Sequence, residues 1–283
     1  MSAQNDDLLV IDDLAVNYRK RGLKREIFQA VRGASLRIGK GETLGLVGES
    51  GSGKTTIGRA VLGLAPVSEG RILLEGRDIS HLSRRARRGL SNDVQVVFQD
   101  PYSSLNPSMT VGDILAEPLS AQGVSRRDAR TRIDELLDQV GLPAGALDRL
   151  PREFSGGQRQ RVAIARALSL SPKLIVCDEP VSALDLTTQA RILDLLLSIQ
   201  NETKVSYLFI SHDLDVVRHL SHRVAVIYRG DIVEQGDALQ VTDHPQHPYT
   251  KKLLFASPLL DPEKQAERRA ERRRMLAAEA AAS

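Results

Sequence analysis

The sequence predicts an α/β fold, a mainly parallel sheet with an N-terminal antiparallel β subdomain and a helical insert. Three observations carry that prediction. An apolar run, a glycine-rich loop and an amphipathic stripe follow one another without a break from Thr43 to Leu64. Apolar runs return at Leu174 to Cys177, Val205 to Ile210 and Val224 to Tyr228, with a helical pattern between the first two, which is the rhythm of parallel βαβ units. Between these regions, from about residue 100 to 165, strand-like runs vanish and helical pieces alternate with prolines.

Taken in order, the first element places Leu14, Val16 and Tyr18 on one face, and Val31 to Ile38 alternates in the same way. Period-two alternation in two neighbouring stretches suits a small antiparallel sheet. Thr43 to Val47 is the third strand, and the stripe Ile57, Ala60, Val61 and Leu64 falls at i, i+3, i+4 and i+7 of a helix. In the insert, Ile133, Leu136, Leu137 and Val140 share a helical face between loops containing Pro101, Pro107, Pro143 and Pro151. Ile192, Leu195, Leu196 and Ile199 mark a later helix that faces the core. Asp261 to Ser283, rich in Ala, Glu and Arg, reads as an exposed or frayed helix, and no internal repeat is visible.

Composition narrows the function classes. With 283 residues, 41% hydrophobic and 27% charged, the chain has ordinary globular usage and room for one large domain or two smaller ones. Its single cysteine, Cys177, excludes an internal disulfide framework, so a reducing compartment and a cytoplasmic location are expected. No apolar run approaches the length needed to span a bilayer, and the acidic start, Met1 to Asp7, is unlike an export signal. The net charge of +3 and the pI near 9.1 raise nucleic acid as a partner. Nucleic acid is not expected, because the basic patches (Arg84 to Arg88, Arg126 to Arg132, Arg268 to Arg274) have acids nearby and no interleaved aromatic residues.

The segment Gly48-Glu49-Ser50-Gly51-Ser52-Gly53-Lys54-Thr55-Thr56 matches the P-loop pattern. A glycine turn capping a helix would also place glycines here, but it would not demand Lys54 and Thr55 at fixed offsets. The chemistry explains the pattern. Glycines let backbone N–H groups turn inward toward phosphate, and the helix start adds unpaired N–H groups and its positive dipole end. Lys54 then supplies a mobile charge for the β- and γ-phosphates, and the Thr55 hydroxyl is a ligand for Mg²⁺. A nucleoside triphosphate with Mg²⁺ is the expected ligand, and the fold class sharpens to a P-loop NTPase with a RecA-like core; the loop alone does not separate kinases, GTPases, helicases and transport motors.

Such an enzyme needs an acid at the end of a neighbouring strand. Leu174 to Cys177 is apolar, as in a strand buried on both faces, and ends in Asp178 and Glu179. Two adjacent carboxylates at that edge divide the labour: Asp178 for the metal, Glu179 as general base on the attacking water. Ser155, before a glycine pair and a long helical stretch, reads as the N-cap of a helix with an exposed dipole end, a second anion site far in sequence from the first. Cys177, mid-strand, reads as a buried and inert thiol.

The segment Phe154-Ser155-Gly156-Gly157-Gln158-Arg159-Gln160-Arg161 resembles the signature motif of the ATP-binding cassette family, and the other motifs of that family follow in its order. The resemblance spans residues from about 9 to 240. It implies that Tyr18 stacks on adenine, that Gln99 is the Q-loop glutamine contacting Mg²⁺ and reporting to a membrane partner, and that Ser182 to Asp185 form the D-loop. It implies that His212, in Ile210-Ser211-His212-Asp213, orients the water beside the γ-phosphate. Ser155, Gly156, Gly157, Gln158 and Asp185 then contribute to ATP sites in a head-to-tail dimer, each signature motif capping the partner's nucleotide.

Two stretches narrow the resemblance. Phe98-Gln99-Asp100-Pro101-Tyr102-Ser103-Ser104-Leu105-Asn106-Pro107 and the late His247-Pro248-Tyr249-Thr250-Lys251-Lys252-Leu253-Leu254 resemble the ATPase subunits of oligopeptide, dipeptide and nickel importers. That implies a second, similar or identical ATPase subunit, two membrane permeases, an external solute-binding protein, and a place at the cytoplasmic face of the inner membrane. The expected domains are a nucleotide-binding domain over 8–240, with its insert at about 100–165, and a C-terminal extension with a charged tail over 241–283. His244 and His247 are read as part of a turn-rich extension and not as metal ligands, because Pro245 and Pro248 break a regular helix. The chain lacks the cysteine cluster that some relatives carry in this extension, so no iron–sulfur site is expected. The alternative reading is a soluble cassette ATPase accessory to an enzyme complex, as in the resembling phosphonate-degradation proteins.

Overall fold

The computed structural model describes residues 7–19 and 27–256. Two sheets organise the described residues. The antiparallel sheet has the order β2-β1-β4-β5 and is built from β1 (Asp7–Arg19), β2 (Ile27–Gly39), β4 (Glu69–Leu74) and β5 (Arg77–Asp78). The six-stranded sheet has the order β10-β9-β3-β8-β7-β6, from β3 (Thr43–Val47), β6 (Val94–Val97), β7 (Leu174–Asp178), β8 (Ser206–Ser211), β9 (Arg223–Tyr228) and β10 (Asp231–Asp237). Its strands pair in parallel except for β10, which runs antiparallel to β9.

Helices cover both faces of this sheet, as parallel pairing requires. α1 (Lys54–Val61) follows β3, and α2 (Arg84–Leu90) precedes β6. The insert holds α3 (Pro101–Ser104), α4 (Val111–Ala121), α5 (Arg126–Gln139) and α6 (Gly156–Leu168). α7 (Leu186–Thr203), α8 (Leu214–Leu220), α9 (Ala238–Asp243) and α10 (Pro248–Ala256) complete the order. The insert helices start where side chains satisfy their first N–H groups: Thr110 accepts from Asp113 N–H and Ser125 from Asp128 N–H.

Alternation along the buried strands sorts the described residues into two cores. Leu44, Leu46, Leu174, Val176, Leu208 and Ile210 face α1 and the antiparallel sheet, packing with Ile57, Ala60, Val61, Leu14 and Val16. Ile175, Cys177, Tyr207, Phe209, Val224 and Val226 face the helical side, with Ile133, Leu136, Leu137 and Val162. Each fully buried large aliphatic or Phe side chain stabilises the fold by about 1.5–3 kcal/mol. Cys177 lies in the second core without exposure, and burial drives its thiol pKa far upward, so it stays a neutral thiol.

Three sequence expectations need correction. The first helix stops at Val61, capped by Leu62, and Leu64 is 64% exposed instead of continuing the apolar stripe, because Gly63 turns the chain with φ of 68°. The C-terminal extension is not turn-rich: Ala238 to Asp243 and Pro248 to Ala256 are helical, with Pro248 at a helix start, where its missing N–H is no loss. The hairpin Glu69 to Asp78 and the strand Val94 to Val97 were not anticipated, since both are short and carry weak alternation. The expected helix over Asp261 to Ser283 and the basic run Arg268 to Arg274 lie outside the described residues.

Candidate nucleotide site

Parallel strands deliver their C-terminal ends to one edge of the sheet, and the register places the candidate residues there. Val47 of β3 pairs with Ser211 of β8, Ile210 with Asp178 of β7, and Cys177 with Val97 of β6. The residues that follow, Gly48, His212, Glu179 and Gln99, therefore leave the sheet at the same edge. Binding crevices of open α/β sheets form at this edge.

The loop from Gly48 to Gly53 closes onto α1 and lines a cleft of about 360 Å³ with Tyr18, Phe28, Ala30, Ser50, Gly51, Lys54, Thr55, Thr56 and Glu179. Gly53 has φ of 115°, and a Cβ there would meet Ala30 O at 2.6 Å, so only glycine lets the loop lie against β2. Ser52 Oγ is buried without a hydrogen-bond partner among the described residues. An orphaned hydroxyl inside a loop of inward-turning amides is a donor awaiting an acceptor such as phosphate oxygen.

Lys54 is 4% exposed, and its Nζ donates to Gly48 O at 2.7 Å and Glu49 O at 2.9 Å. Burial lowers its pKa, while the carboxylates of Glu179, Asp178 and Glu49 push it back up. Thr55 Oγ1 donates to Asp178 Oδ1 at 2.9 Å. A hydroxyl and a carboxylate, both hard oxygen donors, suit Mg²⁺.

Burial raises the pKa of Asp178; the Thr55 hydrogen bond, Arg59 and Lys54 oppose that rise and Glu179 adds to it. Without a cation, the folded protein thus holds this proton more tightly than the unfolded chain. The contribution to stability falls as pH climbs from the unfolded-chain value through the raised one, and stays lost above it. Asp178→Asn is therefore expected to melt above the parent at pH 8 in the absence of nucleotide and divalent cation, with the gap closing once both forms are neutral in acid. A parent protein that melts higher at pH 8 would show that the attraction of Lys54 and Arg59 outweighs burial.

Glu179 adopts the left-handed region with φ of 50°, a conformation that costs a non-glycine residue about 1–3 kcal/mol. Its N–H is held by Ile210 O at 3.0 Å, and the turn sends the side chain into the cleft, where Oε2 lies 3.1 Å from His212 Nδ1. The Glu179 side chain is 14% exposed and that of His212 52%, so the imidazole sits on the solvent side of the pair.

The other expected residues stand apart from this cleft. Gln99 is exposed two residues past β6. Ser155 is exposed and N-caps α6 in a capping box: its Oγ accepts from Gln158 N–H at 3.3 Å, and Gln158 Oε1 accepts from Ser155 N–H at 3.0 Å. Gly157 is buried, and a Cβ there would meet Thr188 Cγ2 at 2.4 Å, so its lack of a side chain serves the contact with α7. Asp185 N-caps α7, and the N–H and hydroxyl of Thr188 hold its carboxyl below the usual range. Within the described residues, then, the chain presents a phosphate-type cleft and a separate capped helix start that faces solvent.

Phe28 was missed by sequence reasoning. It pairs directly with Tyr18 across β1 and β2, stays 48% exposed, and lines the cleft beside it. The available signal was the rarity of aromatic residues, 4% of the chain, one of them opposite Tyr18 once the hairpin register is drawn.

Comparison with known proteins accords with this architecture. A family profile described as ABC transporter matches residues 31–182, more than half of the chain. The chain belongs to the ABC transporter family. A second profile, described as the oligopeptide/dipeptide transporter C-terminal region, matches residues 233–282. The oligopeptide transport ATP-binding protein OppF of Lactococcus lactis is 48% identical over 273 residues, covering 94% of this chain and 85% of that protein. OppD of Mycobacterium tuberculosis is 53% identical over 234 residues, 83% of this chain, but the match spans only 38% of that relative's length. Among solved structures, cbiO1 of Clostridium perfringens, part of the ABC transporter complex cbiONQ, superposes with a TM-score of 0.75 at 27% identity, covering 89% of this chain and 94% of that one. The ATP-binding cassette MJ0796, a dimer bound to ADP and Pi in a post-hydrolysis state, gives 0.73 at 29% identity, covering 81% of this chain and 98% of that one.

Proposed function

We propose that this ABC-family chain is the ATP-binding and ATP-hydrolysing subunit of an importer for peptides or similar solutes. The observation that carries the chemistry is the cluster at one sheet edge: a glycine cradle, the Lys54 cation, the Thr55–Asp178 oxygen pair and the Glu179–His212 pair. ATP phosphates lie in the cradle, with Tyr18 and Phe28 offering aromatic surface to the adenine. Mg²⁺, when held by Thr55 and Asp178, supplies charge for the β- and γ-phosphate oxygens. Glu179 takes the proton of the attacking water as its oxygen bonds to the γ-phosphorus and ADP departs with the electrons of the broken bond. His212 holds the Glu179 carboxylate in place and meets the γ-phosphate from the solvent side.

The exposed helix start at Ser155 lies outside its own chain's cleft and is read as the cap for a partner's nucleotide in a head-to-tail dimer. The solved dimers of MJ0796 support that reading by likeness. Loss of the shared γ-phosphate then opens the dimer. Gln99 leaves the same sheet edge and begins the insert, which suits a coupling role between nucleotide and permease, with a part in the Mg²⁺ shell. We place the nucleotide-binding domain at 8–240 and the extension from 241. Among the described residues no helix is long and apolar enough to cross a membrane. Attachment at the cytoplasmic face is read as running through permease subunits, on the strength of relatives named as oligopeptide transport ATP-binding proteins.

The peptide-type solute rests on the C-terminal profile and on the names of relatives such as OppF. Reconstitution tests the whole reading. The purified chain should hydrolyse ATP slowly, and the rate should rise severalfold in proteoliposomes with its second ATPase, permeases and solute-loaded binding protein. Full activity alone, or co-purification with soluble enzymes in place of permeases, would overturn it.

A further inference from the structure

The C-terminal extension reaches back to the phosphate loop. Tyr249 lies 200 positions after Glu49, yet its hydroxyl oxygen accepts the Glu49 backbone N–H at 2.9 Å. The ring is 7% exposed and packs on Tyr228 of β9, with centroids 4.2 Å apart. Its own backbone is held in turn: Tyr249 N–H donates to His247 Nδ1 at 3.2 Å, and the Glu234 carboxylate of β10 accepts the N–H groups of Gln246 at 2.7 Å and His247 at 3.0 Å. The hydroxyl is thus presented by a braced segment and not by a loose tail.

What it grips is one peptide unit. The bond between Gly48 and Glu49 is planar, so its N–H and C=O are fixed in opposite directions. The N–H goes to Tyr249; the carbonyl, Gly48 O, accepts the Lys54 ammonium at 2.7 Å. Pinning one side of that plane sets the direction of the other. A ring packed for stability alone would need no hydroxyl aimed at this amide.

We propose that Tyr249 is a positioning residue for the nucleotide site: its hydroxyl holds the Gly48–Glu49 peptide so that Lys54 is presented to phosphate from a fixed carbonyl. The extension is then part of the nucleotide site of its own chain. This inference rests on reading the loop as a nucleotide site, and Lys54→Ala separates the two.

The test uses the full chain with Tyr249→Phe, which keeps the ring and its stack and removes one oxygen, and Tyr228→Phe as the control for the stack. A fluorescent ATP analogue reports affinity, and melting reports folding. For Tyr249→Phe the Kd should rise about 3- to 10-fold, the scale of one net hydrogen bond, with KM rising alongside and kcat at saturating ATP unchanged. Tyr228→Phe should bind as the parent does. A Tyr249→Phe protein that melts lower but binds normally, or a Tyr228→Phe protein that weakens binding equally, would overturn the proposal. If Lys54→Ala loses binding while Tyr249→Phe keeps it, this inference alone fails; if Lys54→Ala binds normally, the reading of the loop fails with it.

Discussion

Glu179→Gln should lower ATP hydrolysis by about 10²- to 10⁴-fold, the usual contribution of a positioned general base, while ATP affinity changes by less than about threefold. The amide keeps the shape and the hydrogen-bonding reach toward His212 but cannot take the proton from water. The backbone at Glu179 stays in its left-handed turn, held by Ile210 O, because Gln tolerates that conformation no worse than Glu does. Steady-state phosphate release with a parallel nucleotide titration checks both halves. Loss of rate with equal loss of affinity would assign Glu179 to binding instead of to the chemical step.

Lys54→Ala should weaken ATP binding by about 10- to 150-fold, the scale of a lost charge-assisted contact. The loss has two sources. The cation is removed from the phosphates, and the carboxylates of Asp178, Glu179 and Glu49, which Lys54 now faces, are left to repel the incoming triphosphate. The apo fold should survive, since the ammonium is itself held in a desolvated place by two carbonyls. Titration with the fluorescent analogue at low ionic strength is the check, and retention of affinity would contradict the assignment.

Local pattern made the sheet and the loop legible in the sequence. The strands Leu174 to Cys177 and Val224 to Tyr228 are apolar on both faces because both faces are covered, and the phosphate loop is written in fixed offsets that backbone geometry demands. Ser155 was legible as an N-cap because a hydroxyl before a glycine pair and a long helical stretch is a local signal, and the structure adds the capping box with Gln158. Contacts between distant segments were not legible. The pairing of Phe28 with Tyr18 depends on the β1–β2 register, and the grip of Tyr249 on Glu49 depends on how the extension folds back over the sheet edge. The helices of the extension were hidden by Pro245 and Pro248, which read as breakers although Pro248 begins a helix. Leu64 misled in the opposite way: the stripe was right, but Gly63 ended the helix before it.

In the proposed dimer two chains share ATP, each closing the other's cleft with the helix start at Ser155. Sedimentation of Glu179→Gln protein with and without Mg-ATP tests it most directly. The expected result is monomers without nucleotide, dimers with it, and monomers again when Ser155→Arg is added to the same background with ATP still bound. Glu179→Gln protein that binds ATP yet sediments as a monomer would contradict it.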